Sequence, residues 1–209
     1  MSNLIKNTSL YSIGTILPKA ASFILLPIYT SFLSVEQYGI ISAMLVFSSF
    51  LIILITLNIE RSIFRLYYDY ETDIEKREYI GTVLISIFFF STIMIGIIFL
   101  AKDYVSLLYK SIDFYPYFFV ASLTVYCGVY GSVLGVLLQV LQKAKLFVVL
   151  GIVQFTISSL FTVLFVVYFK QEAYGYLKGG LFGNLIMLPF YVKYLLPHFK
   201  LKFNKKVII

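Results

Sequence analysis

The sequence predicts an all-α integral membrane protein, a bundle of six transmembrane helices. Three observations carry this. Of 209 residues, 60% are hydrophobic and 13% charged, against about 45–50% and about 25% in an ordinary soluble domain. Mean hydropathy is +0.92, and 21 Phe with 18 Tyr are more apolar surface than a core of this size encloses. Several stretches free of Asp, Glu, Lys and Arg also exceed the ~20 residues that a helix needs to cross ~30 Å of hydrocarbon. A soluble enzyme, a disordered tail and a nucleic-acid-binding domain are excluded, so the net charge of +7 is a matter of where the cations sit. The single cysteine, Cys127, cannot form an internal disulfide, and nothing points to a secreted disulfide framework.

The first span, Thr8–Leu33, is uncharged except for Lys19. It is too long for a cleavable signal, a lysine interrupts it, and no small-residue cleavage site precedes Pro27. Gln37–Ile59, Ile80–Ala101, Phe114–Gln142 and Leu146–Phe169 follow, with 23, 22, 29 and 24 uncharged residues. The sixth, Tyr174–Leu196, carries Lys178 and Lys193 only near its ends, where a lysine can snorkel. A β-barrel does not fit, because its strands alternate apolar and polar over ~10 residues. The expected spans are therefore 8–33, 37–59, 80–101, 114–142, 146–169 and 174–196. They form one lobe over residues 1–198, and residues 199–209 form a basic tail. Between the second and third spans, Tyr67–Tyr79 is the one substantial hydrophilic stretch.

Orientation follows from the loops. With the N-terminus cytoplasmic, the inside collects Lys6, Arg61, Arg65, Lys76, Arg77, Lys143, Lys145, Lys193, Lys200, Lys202, Lys205 and Lys206. The outside then holds only Lys102, Lys110, Lys170 and Lys178. That distribution obeys the positive-inside rule and places both termini in the cytoplasm.

An ionisable side chain inside a bilayer must be compensated, so each is a functional candidate. Lys19 lies mid-way along the first span, directly after Pro18. Ser12, Thr15, Lys19 and Ser22 share one helical face at 3,4,3 spacing. Proline removes a backbone donor and frees carbonyls that only a protein-lined or water-lined site tolerates. Lys19 is read as a hydrated cation in such a site; the alternative is a lysine paired inside the bundle or snorkelling to an interface. Asn58, Arg61 and Arg65 sit at 3,4 spacing where the second span ends. Two guanidinium forks on one face suit phosphate oxygens, but the positive-inside rule alone favours plain cytoplasmic anchors, with Arg65 bonded to Asp69 one turn on. Gln154 and Asn184 are weaker candidates to line a cavity. Gly151, Ser158 and Thr162, the pair Gly131 and Gly135, and the series Gly175, Gly179, Gly183 read as helix-packing surfaces.

Catalysis is not expected. One histidine (His198) and one cysteine make no metal cluster, no glycine-rich phosphate loop is present, and no serine or cysteine has a base in reach. No cofactor is expected either.

Pro27-Ile28-Tyr29-Thr30-Ser31-Phe32-Leu33-Ser34, then Tyr38-Gly39, then Arg65 before Tyr67 and Tyr68 resemble the N-terminal region of Wzx-type polysaccharide (O-antigen) flippases of the MOP superfamily, which also contains the MATE transporters. In that family a kinked first helix ends in the pattern PxYTRxLS; here Ser31 stands where an arginine is usual. The resemblance implies one six-helix lobe of a two-lobe transporter, so the chain would be a half or a fragment partnered by a second lobe. It implies translocation of undecaprenyl-pyrophosphate-linked oligosaccharide across the bacterial cytoplasmic membrane, with that lipid-linked oligosaccharide and membrane lipid as partners and no nucleic acid. Lys19 would be the internal cation, and Arg61 and Arg65 an entry for the diphosphate. The alternatives are a multidrug or cation antiporter of the same superfamily, which usually needs a mid-span carboxylate, and a non-transporting scaffold of glycan assembly.

Overall fold

The computed structural model describes residues 2–109 and 112–200, with side chains from Thr8 onward. Residues 201–209, most of the expected basic tail, lie outside the described residues. The described chain is all-α: α1 (Ser2–Phe32), α2 (Val35–Thr56), a short α3 (Ser62–Leu66), α4 (Asp73–Leu100), a short α5 (Lys102–Leu108), α6 (Phe119–Val140), α7 (Ala144–Val163) and α8 (Glu172–Leu195). Among the described residues six helical segments are long and apolar enough to cross a membrane: Thr8–Phe32, Val35–Thr56, Asp73–Leu100, Phe114–Val140, Ala144–Tyr168 and Glu172–His198. The fourth begins with a kinked segment, Phe114–Phe118, in which Tyr115 is extended (φ −98°, ψ 130°), and the fifth ends with a π-helical turn, Leu164–Tyr168.

The helix ends depart from the charge-free stretches, for local reasons. α2 starts where the Ser34 hydroxyl accepts the Gln37 N–H at 3.2 Å, satisfying one of the donors that a helix N-terminus leaves open. α4 starts at Asp73, well before the apolar run, because Thr72 and Glu75 form a capping box. Its first turns, through Glu78, are thus polar helix leading into the span. α2 stops at Thr56, three residues before its apolar run does. Leu57 and Asn58 adopt φ of 47° and 54°, and Asn58 N–H donates to the Thr56 hydroxyl at 3.1 Å. Asparagine tolerates this left-handed conformation better than other non-glycine residues.

Packing is uneven around the bundle. α8 contacts α7, α6 and α2, while α6 also contacts α2 and α4. The main core joins Leu51, Ile55, Ile80, Ile87, Val129, Leu137 and Met187 from α2, α4, α6 and α8. α7 and α8 approach so closely that a methyl group at Gly179 would collide with Thr162, and one at Gly183 with Ser158. In lipid, where the hydrophobic effect does not press helices together, such backbone proximity is what binds them. α1 packs mainly along α7, where Gly14 meets Phe147 and Val148. Pro18 cannot donate to the Gly14 carbonyl, the acceptor four residues back, and that oxygen faces Gly151 on α7. α1 otherwise leaves Ile13, Ile16, Phe23 and Ile24 exposed.

Candidate functional site

α1 leans on α7 while α2 leans on α6 and α8, and the separation of α1 from α2 opens a cavity of about 470 Å³. Its wall takes residues from four spans: Lys19, Ser22, Leu26 and Tyr29 from α1; Tyr38 and Ser42 from α2; Ser158, Ser159 and Thr162 from α7; Tyr176 and Gly180 from α8. The α1 contribution repeats the 3,4,3 spacing, so one helical face presents the lysine and its neighbours together. Hydroxyls dominate the polar lining, and among the described residues no carboxylate lines the cavity.

One end of the cavity is closed. Tyr29 and Tyr176 meet edge to face at 5.4 Å, inside a cluster that includes Leu33, Ile41, Val166 and Ala173. Beyond it, Gln37 on α2 spans to the start of α8. Its amide nitrogen donates to Glu172 Oε2 at 2.8 Å, and its amide oxygen accepts the Ala173 N–H at 3.1 Å. Lys19 lies about 15 Å from Tyr29 along α1, at a rise of ~1.5 Å per residue. It is exposed, and among the described residues it has no ion-pair partner. Nearby, Ser22 donates to the Pro18 carbonyl at 2.8 Å, and Ser31 donates to that of Pro27 at 2.8 Å. These bonds pair α1 hydroxyls with the carbonyls of the two prolines.

Gln154 and Asn184 lie behind this wall. Gln154 Nε2 donates to the Ser158 hydroxyl at 3.1 Å and to Asn184 Oδ1 at 2.9 Å. Asn184 Nδ2 donates to the Thr124 carbonyl at 2.9 Å, and the Tyr191 hydroxyl donates to Gln154 Oε1 at 3.0 Å. The two amides thus tie α6, α7 and α8 together and reach the cavity through Ser158. Gln154 also borders a separate 120 Å³ cleft with Gly14, Gly151 and Tyr191.

Asn58, Arg61 and Arg65 stand apart from Lys19, past the far end of α2, and none lines the cavity. The single helical face expected for the three is interrupted, because the left-handed turn at Leu57 and Asn58 separates Asn58 from the helical turns that carry the arginines. Arg61 and Arg65 remain four residues apart and exposed. Their segment is anchored by Ser62 to Tyr79, hydroxyl to hydroxyl at 2.7 Å, and by the Tyr68 hydroxyl donating to the Val140 carbonyl at 2.7 Å.

The spacing of α1 foreshadowed part of this site, since continuing the Lys19–Ser22 face by 4 and 3 residues reaches Leu26 and Tyr29. Tyr38, Ser42, Ser159 and Tyr176 had no such signal. They come together through the splaying of α1 from α2, which periodicity within one helix does not encode. Ser158 and Thr162, read as packing residues, both pack and line the wall.

Six helices long and apolar enough to cross a membrane, four of them lining a hydroxylated cavity that carries a lysine, define a multi-pass membrane protein of the transporter class. Among the described residues no cluster of three or more His, Cys, Asp or Glu is placed to hold a metal. The family model described as "polysaccharide biosynthesis protein" matches residues 4–208, and the chain belongs to that family. Its function accordingly falls in membrane transport for polysaccharide biosynthesis. Among curated proteins and among solved structures, nothing matches the chain.

Proposed function

We propose that this chain forms one lobe of a flippase that moves undecaprenyl-pyrophosphate-linked oligosaccharide from the cytoplasmic to the outer leaflet of a bacterial cytoplasmic membrane. The observation that carries the proposal is Lys19, exposed on the wall of a hydroxyl-lined cavity. A diphosphate-sugar head group is anionic and rich in hydroxyls, so leaving water costs several kcal/mol for each unsatisfied polar group. Lys19 supplies the counter-charge. Serine, threonine and tyrosine hydroxyls replace water around the sugar, being both donors and acceptors.

The polyprenyl tail stays in lipid beside α1, whose apolar side chains are exposed. The open flank of the cavity receives a second six-helix lobe, and rocking of one lobe against the other exposes the cavity to each side in turn. With both termini cytoplasmic, the Tyr29–Tyr176 end is the outer one, and Gln37 bonded to Glu172 latches it shut. Arg61 and Arg65, past the turn at Asn58, meet the diphosphate at the cytoplasmic surface. Gln154 and Asn184 hold the wall residue Ser158 in place. Among the described residues no carboxylate lines the cavity, which favours an anionic cargo over the cation of an antiporter.

The test is made in cells that depend on this protein for surface glycan. Lys19→Ala and Lys19→Glu should abolish surface polysaccharide and leave its lipid-linked precursor on the cytoplasmic leaflet, whereas Lys19→Arg should keep a substantial share. Unchanged surface glycan in Lys19→Ala cells, at equal protein level in the membrane, would favour the scaffold role and overturn this reading.

A further inference from the structure

Apart from the cavity, α4, α6 and α8 enclose a groove of about 280 Å³ that is almost wholly apolar. Leu84, Phe88 and Phe89 of α4 face Val192 and Leu195 of α8 across it, and Phe199 also lines it. The segment after α8 is held there by backbone: Lys200 N–H donates to the Arg77 carbonyl at 3.0 Å. The Lys200 carbonyl also presses against Gly81 so closely that any side chain there would collide with it.

This folding-back brings Lys200, next in sequence to the lining residue Phe199, beside Arg77. Arg77, Gly81, Leu84 and Phe88 follow 4,3,4 spacing and so share one face of α4. Arg77 therefore stands over the same face that lines the groove, about 10 Å below Leu84 at ~1.5 Å rise per residue. Lys200 is its neighbour, and Arg77 and Lys143 both lie near the His198 ring. Arg77, Lys143 and Lys200 are exposed, and among the described residues no carboxylate pairs with Arg77 or Lys200. A cationic mouth leading into an acyl-sized apolar slot is complementary to one kind of molecule, a phosphate head group bearing a hydrocarbon chain.

We propose that this groove is a binding site for an anionic phospholipid of the surrounding bilayer. One acyl chain lies against Leu84, Phe88, Val192 and Phe199, and the phosphate is held by Arg77 and Lys200. Basic pockets between transmembrane helices bind anionic lipid head groups in this way. The site shares no lining residue with the Lys19 cavity, so it stands or falls independently of the proposed cargo.

The experiment uses the full chain in detergent, titrated with phosphatidylglycerol, with phosphatidylethanolamine of the same acyl chains, with glycerol phosphate and with undecaprenyl phosphate, bound lipid being counted by native mass spectrometry. One phosphatidylglycerol per chain should be held at least about tenfold more tightly than phosphatidylethanolamine, as expected for two basic contacts, and glycerol phosphate should not bind. Arg77→Gln with Lys200→Gln should remove that preference, and Leu84→Trp should weaken both phospholipids by filling the slot. Lipid-free thermal unfolding like that of the wild type would show that these variants are folded, and Leu84→Trp and the double variant test the slot and the mouth separately. Equal binding of the two phospholipids, or an undiminished preference in the folded double variant, would overturn the proposal. So would undecaprenyl phosphate displacing phosphatidylglycerol at equal concentration, which would assign the groove to cargo.

Discussion

Gln154 is the residue on which the interior wall of the cavity turns. It bonds Ser158 on its own helix and Asn184 and Tyr191 on α8, and a leucine there would strand all three partners. Interhelical hydrogen bonds in membranes average ~0.6 kcal/mol each, so Gln154→Leu should cost about 1–2 kcal/mol, read as a lower midpoint of thermal unfolding in detergent. An unchanged midpoint would show that the network is not structural. Thr72 offers a simpler case away from the membrane interior. Its hydroxyl accepts the Glu75 N–H at 3.2 Å and donates to Glu75 Oε2 at 2.8 Å, and Thr72→Ala should cost about 1 kcal/mol of cap. Hydrogen exchange should detect it as fraying confined to the first turn of α4, and protection equal to wild type there would contradict it.

Helix pairs differ in how near they approach, and glycine substitutions measure this directly. Gly179→Ala on α8 would drive a methyl into Thr162 of α7, and such overpacking costs about 1–3 kcal/mol. Gly96→Ala on α4 meets nothing within 4 Å and should be neutral or stabilising by up to ~1 kcal/mol, the helix propensity gained. Similar effects at the two sites would refute the packing of α7 on α8. The spans themselves were legible because length and apolarity are written along a single segment. Their ends were less so: the Ser34 and Thr72 caps and the left-handed turn at Leu57 and Asn58 override a count of uncharged residues. The meeting of Gly14 with α7, and the splaying of α1 from α2, depend on packing between segments far apart in sequence. Lys19 could be singled out from its own helix, whereas Tyr176 and Ser42 acquire their place only from the bundle.

α1, held mainly by α7, and α2, held by α6 and α8, leave between them a chamber closed at the Tyr29–Tyr176 end and bearing Lys19 on its wall. In the proposed cycle the closed end opens when Gln37 releases Glu172. Gln37→Ala should therefore shift the population toward the outward-open form, seen as faster labelling of a cysteine placed at Ser42 by reagent added outside; an unaltered rate would count against a latch. All of this requires that position 19 be wet. The most direct measurement is the reaction of Lys19→Cys, in a Cys127→Ala background, with a charged, membrane-impermeant thiol reagent. The thiolate, which forms in water and not in hydrocarbon, is the nucleophile that attacks a maleimide or thiosulfonate. The account predicts rapid labelling at position 19, while a cysteine at the exposed apolar position Ile53 stays unreactive. Labelling at position 19 as slow as at Ile53 would contradict it.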